Sequence, residues 1–287
     1  MKLNINQLVK VALQSNASQP SIKLPGYWAG YDGKARVVPG VGGITYSHYL
    51  GDCCIGIAGD HVEAGVSSCN LDSGANGAYM TFACVGNTAT VINGDAKGAK
   101  GIIVGKHGGC DHVMIAFNQD TIEKLTYNDT FMVQGYGQGL EILDYPNIKV
   151  MNIDPSLLLK LPKTENKDSI SFGVKTILPA HLLGSGLGAS TSLSGDYDIM
   201  MHDHKANIEY NLDQLCFGDL VLVLDHYSEN GPDYFKGATT LGVIVHSDSF
   251  TAGHGPGVCI LATSKDGSLK AHIDDQANLK NILKFTK

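Results

Sequence analysis

Short apolar runs interrupted by glycine dominate the chain from residue 27 to about residue 143. In the first half they include residues 79–84, 102–104, 113–117 and 131–133, and in the second half residues 220–224, 241–245 and 258–261. Runs this short, at this spacing, are typical of the strands of a small barrel or sandwich. We therefore predict a mostly β fold, a β-rich α+β arrangement with a few short helices.

Helical spacing interrupts this pattern near both ends and in the middle. Apolar residues at Ile5, Leu8, Val9, Ala12 and Leu13 predict an amphipathic helix over residues 5–14. Asp154 before Pro155 predicts the start of a short helix, and Asp274 the cap of a closing one. The polar segment 163–169 is the best linker candidate, so we predict N- and C-terminal β-rich domains at residues 1–150 and 151–287.

Composition restricts the partners of the chain. Its 287 residues are 43% hydrophobic, enough to bury large cores. A net charge of -7 and a single arginine, Arg36, argue against nucleic acid as a partner. The sequence contains neither a basic segment followed by an apolar run nor an apolar stretch long enough to span a membrane. These features predict a cytoplasmic protein with no membrane partner.

One glycine-rich stretch, residues 91–103, resembles the KOW motif of ribosomal and transcription-elongation barrels. It reads Val91-Ile-Asn-Gly-Asp-Ala-Lys-Gly-Ala-Lys-Gly-Ile-Ile103. Its glycines permit a tight strand-turn-strand in an SH3-like barrel. In those families the loop meets RNA or protein, but the acidic charge of this chain favours a barrel element over an RNA site.

The densest cluster of ionisable side chains lies in residues 195–204. If this segment is a strand, alternation places Asp196, Asp198, His202 and His204 on one face. An extended strand would separate Asp196 from His204 by about 26 Å, too far for both to bind one metal ion. Asp196 and Asp198 are therefore the candidate ligands, and His202 and His204 are optional additions.

Histidines flanked by glycine recur in three other loops. In strand geometry His61 and Glu63 would share a face about 6.5 Å apart, close enough to share a metal ion or to act as a base and its orienting partner. Asp60 precedes His61, His107 precedes two glycines, and His254 lies between glycines ahead of a proline. The alternative at each place is a turn whose aspartate bonds its own backbone and whose histidine is satisfied by a neighbour.

Six ordered motifs together resemble the DUF4438 family of bacterial and archaeal proteins. They are residues 59–67, 94–109, 184–188, 195–199, 217–221 and 242–257. The resemblance extends from about Pro39 to Thr263 and implies a β-rich fold with N- and C-terminal parts. It implies no particular reaction, and His202 and His204 lie beyond the motif that contains Asp196 and Asp198.

Two classes of function remain open. The first is a metal-dependent, hydrolase-type enzyme that acts on a small polar molecule, with a bound water as the nucleophile. In that interpretation the metal ligands are Asp60, His61, Glu63, Asp196 and Asp198, and the catalytic proton carriers are His254 and His107. Carboxylate and imidazole ligands suit zinc, manganese or iron. The second is a non-enzymatic, homo-oligomeric protein that binds a small ligand or assembles through its glycine turns. RNA binding through the KOW-like loop has the least support.

Overall fold

The computed structural model describes residues 1–20 and 27–286. The described residues form seventeen strands, in chain order β1 Val11–Ala17, β2 Trp28–Ala29, β3 Ala35–Arg36, β4 Val66–Cys69, β5 Thr88–Val91, β6 Lys100–His107, β7 His112–Ala116, β8 Thr130–Gly135, β9 Lys149–Val150, β10 Lys163–Asn166, β11 Ser169–Val174, β12 Thr176–Pro179, β13 Tyr197–Asp198, β14 Leu220–Tyr227, β15 Asp233–Ile244, β16 Gly257–Ser264 and β17 Leu269–Ile273. The α-helices are α1 Ser73–Phe82, α2 Gln119–Ile122, α3 Pro155–Lys160, α4 His204–Glu209 and α5 Leu279–Leu283, with 3₁₀ helices at Ile5–Gln7, Ala180–Leu182 and Leu212–Gln214. The predicted mostly β fold class is confirmed.

Six strands of the N-terminal half close into an antiparallel barrel in the order β1-β4-β7-β6-β5-β8. Val66, Ile103, Ile115 and Phe131 lie in its fully buried core. The turn from β5 to β6 is the strand-turn-strand expected for the KOW-like stretch, with glycines at positive φ. The likeness of that turn to a KOW motif stays a prediction.

The predicted helix over residues 5–14 is wrong beyond its first turn. Only Ile5–Gln7 is helical, and β1 begins at Val11 with alternating burial. β1 pairs with both β4 and β8, so the barrel closes only if this segment is extended. Hydrogen bonding to strands on both sides stabilises the extended conformation. A helix of about ten residues would be only marginally stable on its own, so the strand is favoured despite the helical spacing of the apolar residues.

Residues 79–84 show the opposite error, because most of them lie in α1 rather than in a strand. The Asp72 side chain caps this helix by accepting a hydrogen bond from the Ala75 N–H at 2.8 Å. Tyr79 and Met80 then pack into the barrel core.

The C-terminal half is built on a twisted sheet with strand order β12-β14-β15-β16-β13, to which β9 adds at β16. A smaller sheet has the order β10-β11-β17. The helix predicted at Asp154-Pro155 is α3, whose N-terminus Asp154 caps. The closing helix α5 begins later than predicted, with Asn278 rather than Asp274 as its cap.

One hydrophobic core crosses from the barrel into the C-terminal sheets. It contains Val104 and Met114 from the barrel together with Val243 and Leu261 from the large sheet. The division at residue 150 stays a prediction. None of the helices in the described part of the chain is long and apolar enough to cross a membrane.

Candidate metal centre

Ionisable side chains from both halves meet at the seam between the barrel and the large C-terminal sheet. His107 ends β6, His61 and Glu63 lie in the loop before β4, Asp196 and Asp198 lie at β13, and His246 and His254 lie in the connection from β15 to β16. Backbone pairing joins the segments, because Glu63 bridges to His246 and Asp198 pairs with Gly257. Neither half contains the whole centre.

Three imidazoles in this centre are oriented by contacts at Nδ1. The contacts are His61 with Asp60 Oδ2 at 2.9 Å, His107 with Glu63 Oε1 at 2.5 Å, and His246 with the carbonyl oxygen of Ser247 at 2.9 Å. A carbonyl oxygen only accepts, so His246 carries its proton on Nδ1 when it is neutral and has its lone pair on Nε2. Carboxylates at Nδ1 favour the same tautomer in the other two rings. Ligand nitrogens of all three rings lie within 4.8 Å of one another.

Asp198 presents its two oxygens to different histidines. Its Oδ2 lies 2.8 Å from His254 Nδ1 and 3.2 Å from His61 Nε2, and these two nitrogens are 3.1 Å apart. Its Oδ1 lies 3.6 Å from His246 Nε2. Atoms that share a metal ion at about 2.0–2.2 Å are themselves roughly 3.0–3.4 Å apart, so these spacings fit coordination.

Asp196 faces His246 in a way that suits a cation. The backbone N–H of Gly108 donates to Asp196 Oδ1 at 2.7 Å, while Oδ2 lies 2.9 Å from His246 Nε2. The distance suits an ion pair, yet neither Asp196 Oδ2 nor His246 Nε2 makes a hydrogen bond, although both are buried. Buried polar atoms are ordinarily satisfied. Two lone pairs facing each other at this distance are stabilised by a cation between them or by a proton on the imidazole.

Glu63 lies behind the histidines. It is almost fully buried and contacts His112 Nδ1 at 3.1 Å in addition to His107, and the Ser67 hydroxyl donates to it. Burial alone would raise the pKa of Glu63, but His112 and His107 outweigh burial and hold the pKa well below its usual value. Glu63 is therefore a carboxylate that orients His107.

Cys110 places a sulfur beside this centre. Its Sγ lies 3.5 Å from Glu63 Oε1, and Cys110, Glu63 and His112 form a further group with metal-ligand spacing. Burial, and then the Glu63 carboxylate, raise the pKa of Cys110 well above its usual value. Cys110 is therefore a neutral thiol at neutral pH, which is a weak nucleophile and a weak ligand.

The remaining charges of the centre depend strongly on one another. Burial would raise the pKa of Asp198, but His246, His254 and His61 outweigh it and hold the pKa far below the usual range. Burial would lower the pKa of His246, yet Asp196 and Asp198 raise it well above its usual value. Without a cation the centre therefore retains protons on imidazole.

Asp60 holds His61 from the side of the loop. Burial raises its pKa, but the hydrogen bond with His61 and the other contacts outweigh this and bring the pKa to about 2. The Ser249 hydroxyl and the Phe250 N–H donate to Oδ1 of Asp60 at 2.7 and 2.9 Å. Asp60 is thus a fixed carboxylate that sets the orientation of His61.

The backbone of His61 is held in an uncommon conformation. Its φ is 51°, in the left-handed region that residues other than glycine seldom adopt. The His61 N–H donates to the Asp248 carbonyl at 3.2 Å, and the Val62 N–H donates to the Ser247 hydroxyl at 2.8 Å. Such conformations persist where surrounding contacts impose them, often at functional sites.

The predicted site residues fall into two groups in the structure, those whose donor atoms converge and those that contact the histidines from behind. His61, His107, Asp196, Asp198 and His254 converge, while Asp60 and Glu63 support two of the histidines from behind. Exposure is concentrated on His254, whose side chain is 34% exposed compared with 12% for His61. His254 thus lies on the solvent side of the centre.

The predicted strand over residues 195–204 is wrong outside Tyr197–Asp198. The chain leaves β13 at Ile199, and Asp203 caps α4 by accepting from the Lys205 N–H at 2.9 Å. His202 instead stacks on Tyr31, with ring centroids 3.8 Å apart, and His204 begins α4.

His246 is the residue of this cluster that the sequence analysis did not select as a candidate ligand. It follows the apolar run of β15 directly and is fully buried, so it looks like the polar end of a core strand. The available signal was the sequence His246-Ser247-Asp248, three polar residues in succession after a buried strand.

Comparisons with known proteins agree over nearly the whole chain. The family model described as "Domain of unknown function (DUF4438), N-terminal" matches residues 27–159, and the corresponding C-terminal model matches residues 160–283. A solved structure, described as "Crystal structure of TM1086", has 39% sequence identity and a TM-score of 0.93, covering 100% of this chain and 99% of that one. No curated protein matches the chain. The resemblance predicted from the motifs is confirmed, and the chain belongs to the DUF4438 family.

Proposed function

We propose that the protein is a metal-dependent hydrolase that acts on a small polar molecule. The observation that supports this most is the set of three imidazoles, each held at Nδ1, whose ligand nitrogens lie within 4.8 Å of one another. Two of them, His61 and His246, turn Nε2 toward the buried aspartates. An outer carboxylate or carbonyl that fixes the tautomer of a histidine is a recurrent feature of metal sites. Mixed imidazole and carboxylate donors suit zinc, manganese or iron.

The side chains divide between binding an ion and supporting the ligands. We assign His61, His107, His246, Asp196 and Asp198 as ligands, and Asp60 and Glu63 as the residues that orient His61 and His107. When bound, the ion polarises the substrate and activates a water molecule. His254 lies at the exposed rim, where it serves either as a ligand through Nδ1 or as the proton carrier predicted from the sequence.

Water is the nucleophile that this centre supports best. The Cys110 thiol contacts Glu63, and its raised pKa keeps it protonated at neutral pH. Most of the donors are buried, and His254 is the most exposed of them. Access from one side favours a small substrate over a polymer.

A second candidate function, binding without catalysis, is supported by the number of donors. Four imidazoles and two aspartates are enough to fill the coordination shell of one ion, and structural metal sites are closed in this way. Such an ion would join the two halves and leave no position for water or substrate. The alternative predicted from the sequence, a homo-oligomeric protein that binds a small ligand without catalysis, also stays a prediction.

The first experiment tests for the metal. The protein is stripped with a chelator, reloaded separately with Zn²⁺, Mn²⁺ and Fe²⁺, and its thermal stability is followed. We expect at least one ion to raise the melting temperature of the wild type and of His272→Ala, an exposed histidine in β17, but not of Asp198→Asn. No shift with any of these ions would overturn the proposed function.

The second experiment separates catalysis from closed binding. With Mn²⁺ bound, the relaxation rate of water protons reports whether a coordinated water exchanges with solvent. We expect enhanced relaxation, together with metal-dependent cleavage of some member of a panel of small nitrophenyl esters and phosphate esters. Tight Mn²⁺ binding with no relaxation enhancement and no turnover would favour the structural role.

A further inference from the structure

The two oxygens of Asp198 belong to two different donor sets. We propose that the centre holds two divalent ions bridged by this carboxylate, an inference that rests on the proposed function. A bridging carboxylate needs one oxygen directed at each ion, and Asp198 directs Oδ2 and Oδ1 at different histidines.

The first donor set is Asp198 Oδ2, His61 Nε2 and His254 Nδ1. The three atoms form a nearly equilateral triangle with sides of 2.8, 3.2 and 3.1 Å. That is the spacing expected of three ligands around one ion at about 2.0–2.2 Å. The exposed side of His254 leaves room for water on this ion.

The second donor set is Asp198 Oδ1, Asp196 Oδ2 and His246 Nε2. His246 Nε2 lies 2.9 Å from Asp196 Oδ2 and 3.6 Å from Asp198 Oδ1. The Asp196 and His246 atoms are buried and make no hydrogen bond, so both remain available to an ion. His107 stacks on His246 with ring centroids 4.1 Å apart, and its ligand nitrogen lies within 4.8 Å of that of His246, so His107 is the candidate fourth donor on this side.

The negative charge of the surrounding carboxylates bears on whether the centre would bind one ion or two. Four carboxylates surround the centre, namely Asp60, Glu63, Asp196 and Asp198, and the ion-pair partner of each is an imidazole rather than lysine or arginine. Imidazoles that bind a metal through a lone pair are neutral. One divalent ion would therefore leave two of these four negative charges uncompensated by metal, and of the imidazole partners only His112, which contacts Glu63 and is not an assigned ligand, could carry a proton beside them. Two divalent ions balance all four carboxylates. Uncompensated charge is costly in a buried site, which favours the pair.

In a centre with two ions, His254 would be a metal ligand rather than a proton carrier. Two-metal hydrolytic sites hold their ions about 3.5–4 Å apart and bind the attacking and leaving oxygens between them. The separate directions of the Asp198 oxygens suit ions spaced in that way. His61 and His254 would bind the outer ion, and Asp196 and His246 the inner one.

The test is the number of ions bound per chain of the full-length protein. Stripped protein is reloaded with Mn²⁺, passed through a desalting column, and its metal content is measured by mass spectrometry. Low-temperature electron paramagnetic resonance then separates a spin-coupled pair from isolated ions. We expect two ions per chain and a coupled spectrum for the wild type and for His272→Ala.

Two variants each remove a ligand of one ion. His254→Ala changes a half-buried residue at the rim and should bind a single ion with an uncoupled spectrum. Asp196→Asn preserves the shape of a buried side chain and should also bind about one. One ion in the wild type, or two coupled ions in both variants, would overturn the pair while the proposed function stands. No bound ion in the wild type would overturn both.

Discussion

At the scale of single residues, Gly257 allows β16 to approach the side chains of the candidate metal centre closely. A Cβ at this position would lie 2.2 Å from Asp196 Oδ2 and 2.3 Å from His246 Nε2. These are the two atoms that the second donor set requires, so a methyl group would force them apart.

We expect Gly257→Ala to weaken metal binding by more than the roughly 10–100-fold that loss of an outer hydrogen bond causes. Overpacking should also lower the free energy of unfolding by about 1–3 kcal/mol. Titration calorimetry with Mn²⁺ and urea unfolding measure the two effects. Gly186→Ala is the matched control, because a Cβ there meets no atom within 4 Å. Equal Mn²⁺ affinities of Gly257→Ala and Gly186→Ala would show that the close approach of Gly257 to Asp196 and His246 does not matter for metal binding.

His226 provides a pH-dependent test outside the metal centre. It is buried in β14, its Nδ1 lies 3.0 Å from the Thr240 hydroxyl, and its Nε2 makes no hydrogen bond. Burial lowers the pKa of His226 to about 4. The unfolded chain, with an ordinary histidine pKa of about 6.5, therefore binds this proton first as the pH falls.

His226 should thus remove stability progressively between about pH 6.5 and pH 4, by a total of roughly 3 kcal/mol. His61 and His246 have raised pKa values and act in the opposite direction, losing stability as the pH rises through those values. The measurement is therefore the difference between the free energies of unfolding of the wild type and of His226→Asn, determined in urea across this pH range. We expect the variant to lose less stability on acidification, and parallel curves would contradict the burial effect.

The residues of the centre differ in how readily a local pattern identifies them. Asp60, His61, His107 and His254 draw attention because glycines flank them in polar loops. His246 does not, because its local sequence is that of a buried strand end. It meets Asp196 only because β15 and β13 both pair with β16. Residue type and local pattern indicate available donors, whereas long-range pairing decides which of them meet.

At the scale of secondary-structure elements, Lys106 fixes β6 to the C-terminal half. It is fully buried, and its Nζ donates to Leu193 O at 2.6 Å, Asn152 Oδ1 at 2.8 Å and Thr81 O at 3.3 Å. Burial lowers the pKa of Lys106, although nearby cysteines partly offset this. The contact to Leu193 fixes the segment that leads to Asp196.

We expect Lys106→Met to lower the free energy of unfolding by about 2–4 kcal/mol, because it leaves buried acceptors without a donor. It should also weaken metal binding through Asp196. Urea unfolding and Mn²⁺ titration report the two effects. Lys100→Met, an exposed position on the same strand, should stay within about 0.5 kcal/mol of the wild type. Equal stability of the two variants would show that Lys106 does not fix β6.

Element prediction succeeded where one pattern was present and failed where two patterns competed. β14, β15 and β16 follow apolar runs with no helical alternative. In residues 5–17 a helical spacing overlaps a period-two pattern, and barrel closure selects the strand. Alternation over residues 195–204 predicts one long strand, but the strand ends at Asp198 and Asp203 then caps helix α4.

At the scale of the whole molecule, the centre depends on how the barrel meets the large sheet. The sequence indicates two β-rich parts and donor residues in each. It contains no signal for their relative position, because a hydrophobic core that crosses the seam is built from residues far apart in the chain. The convergence of Glu63, His107, Asp198 and His246 follows from that shared core rather than from any local motif.

A metal centre at the seam should stabilise both halves together. An ion that binds only the folded state at about 1,000 times its dissociation constant adds about 4 kcal/mol of stability. Local opening at the seam breaks metal ligands from both sides, so the added protection should appear on both sides at once.

Hydrogen-exchange mass spectrometry with and without Mn²⁺ measures this protection. We expect slower exchange both in the β6–β7 hairpin, residues 100–116, and in residues 246–257 when the metal is added to chelator-treated protein. The smaller sheet β10-β11-β17 contains none of the proposed ligands and should change less. Asp198→Asn, which lacks the shared carboxylate, should lose the effect in both segments. Protection confined to one half would contradict a centre shared across the seam, because every ion in the proposed arrangement depends on Asp198 from one half and on histidines held by Asp60 or Glu63 from the other.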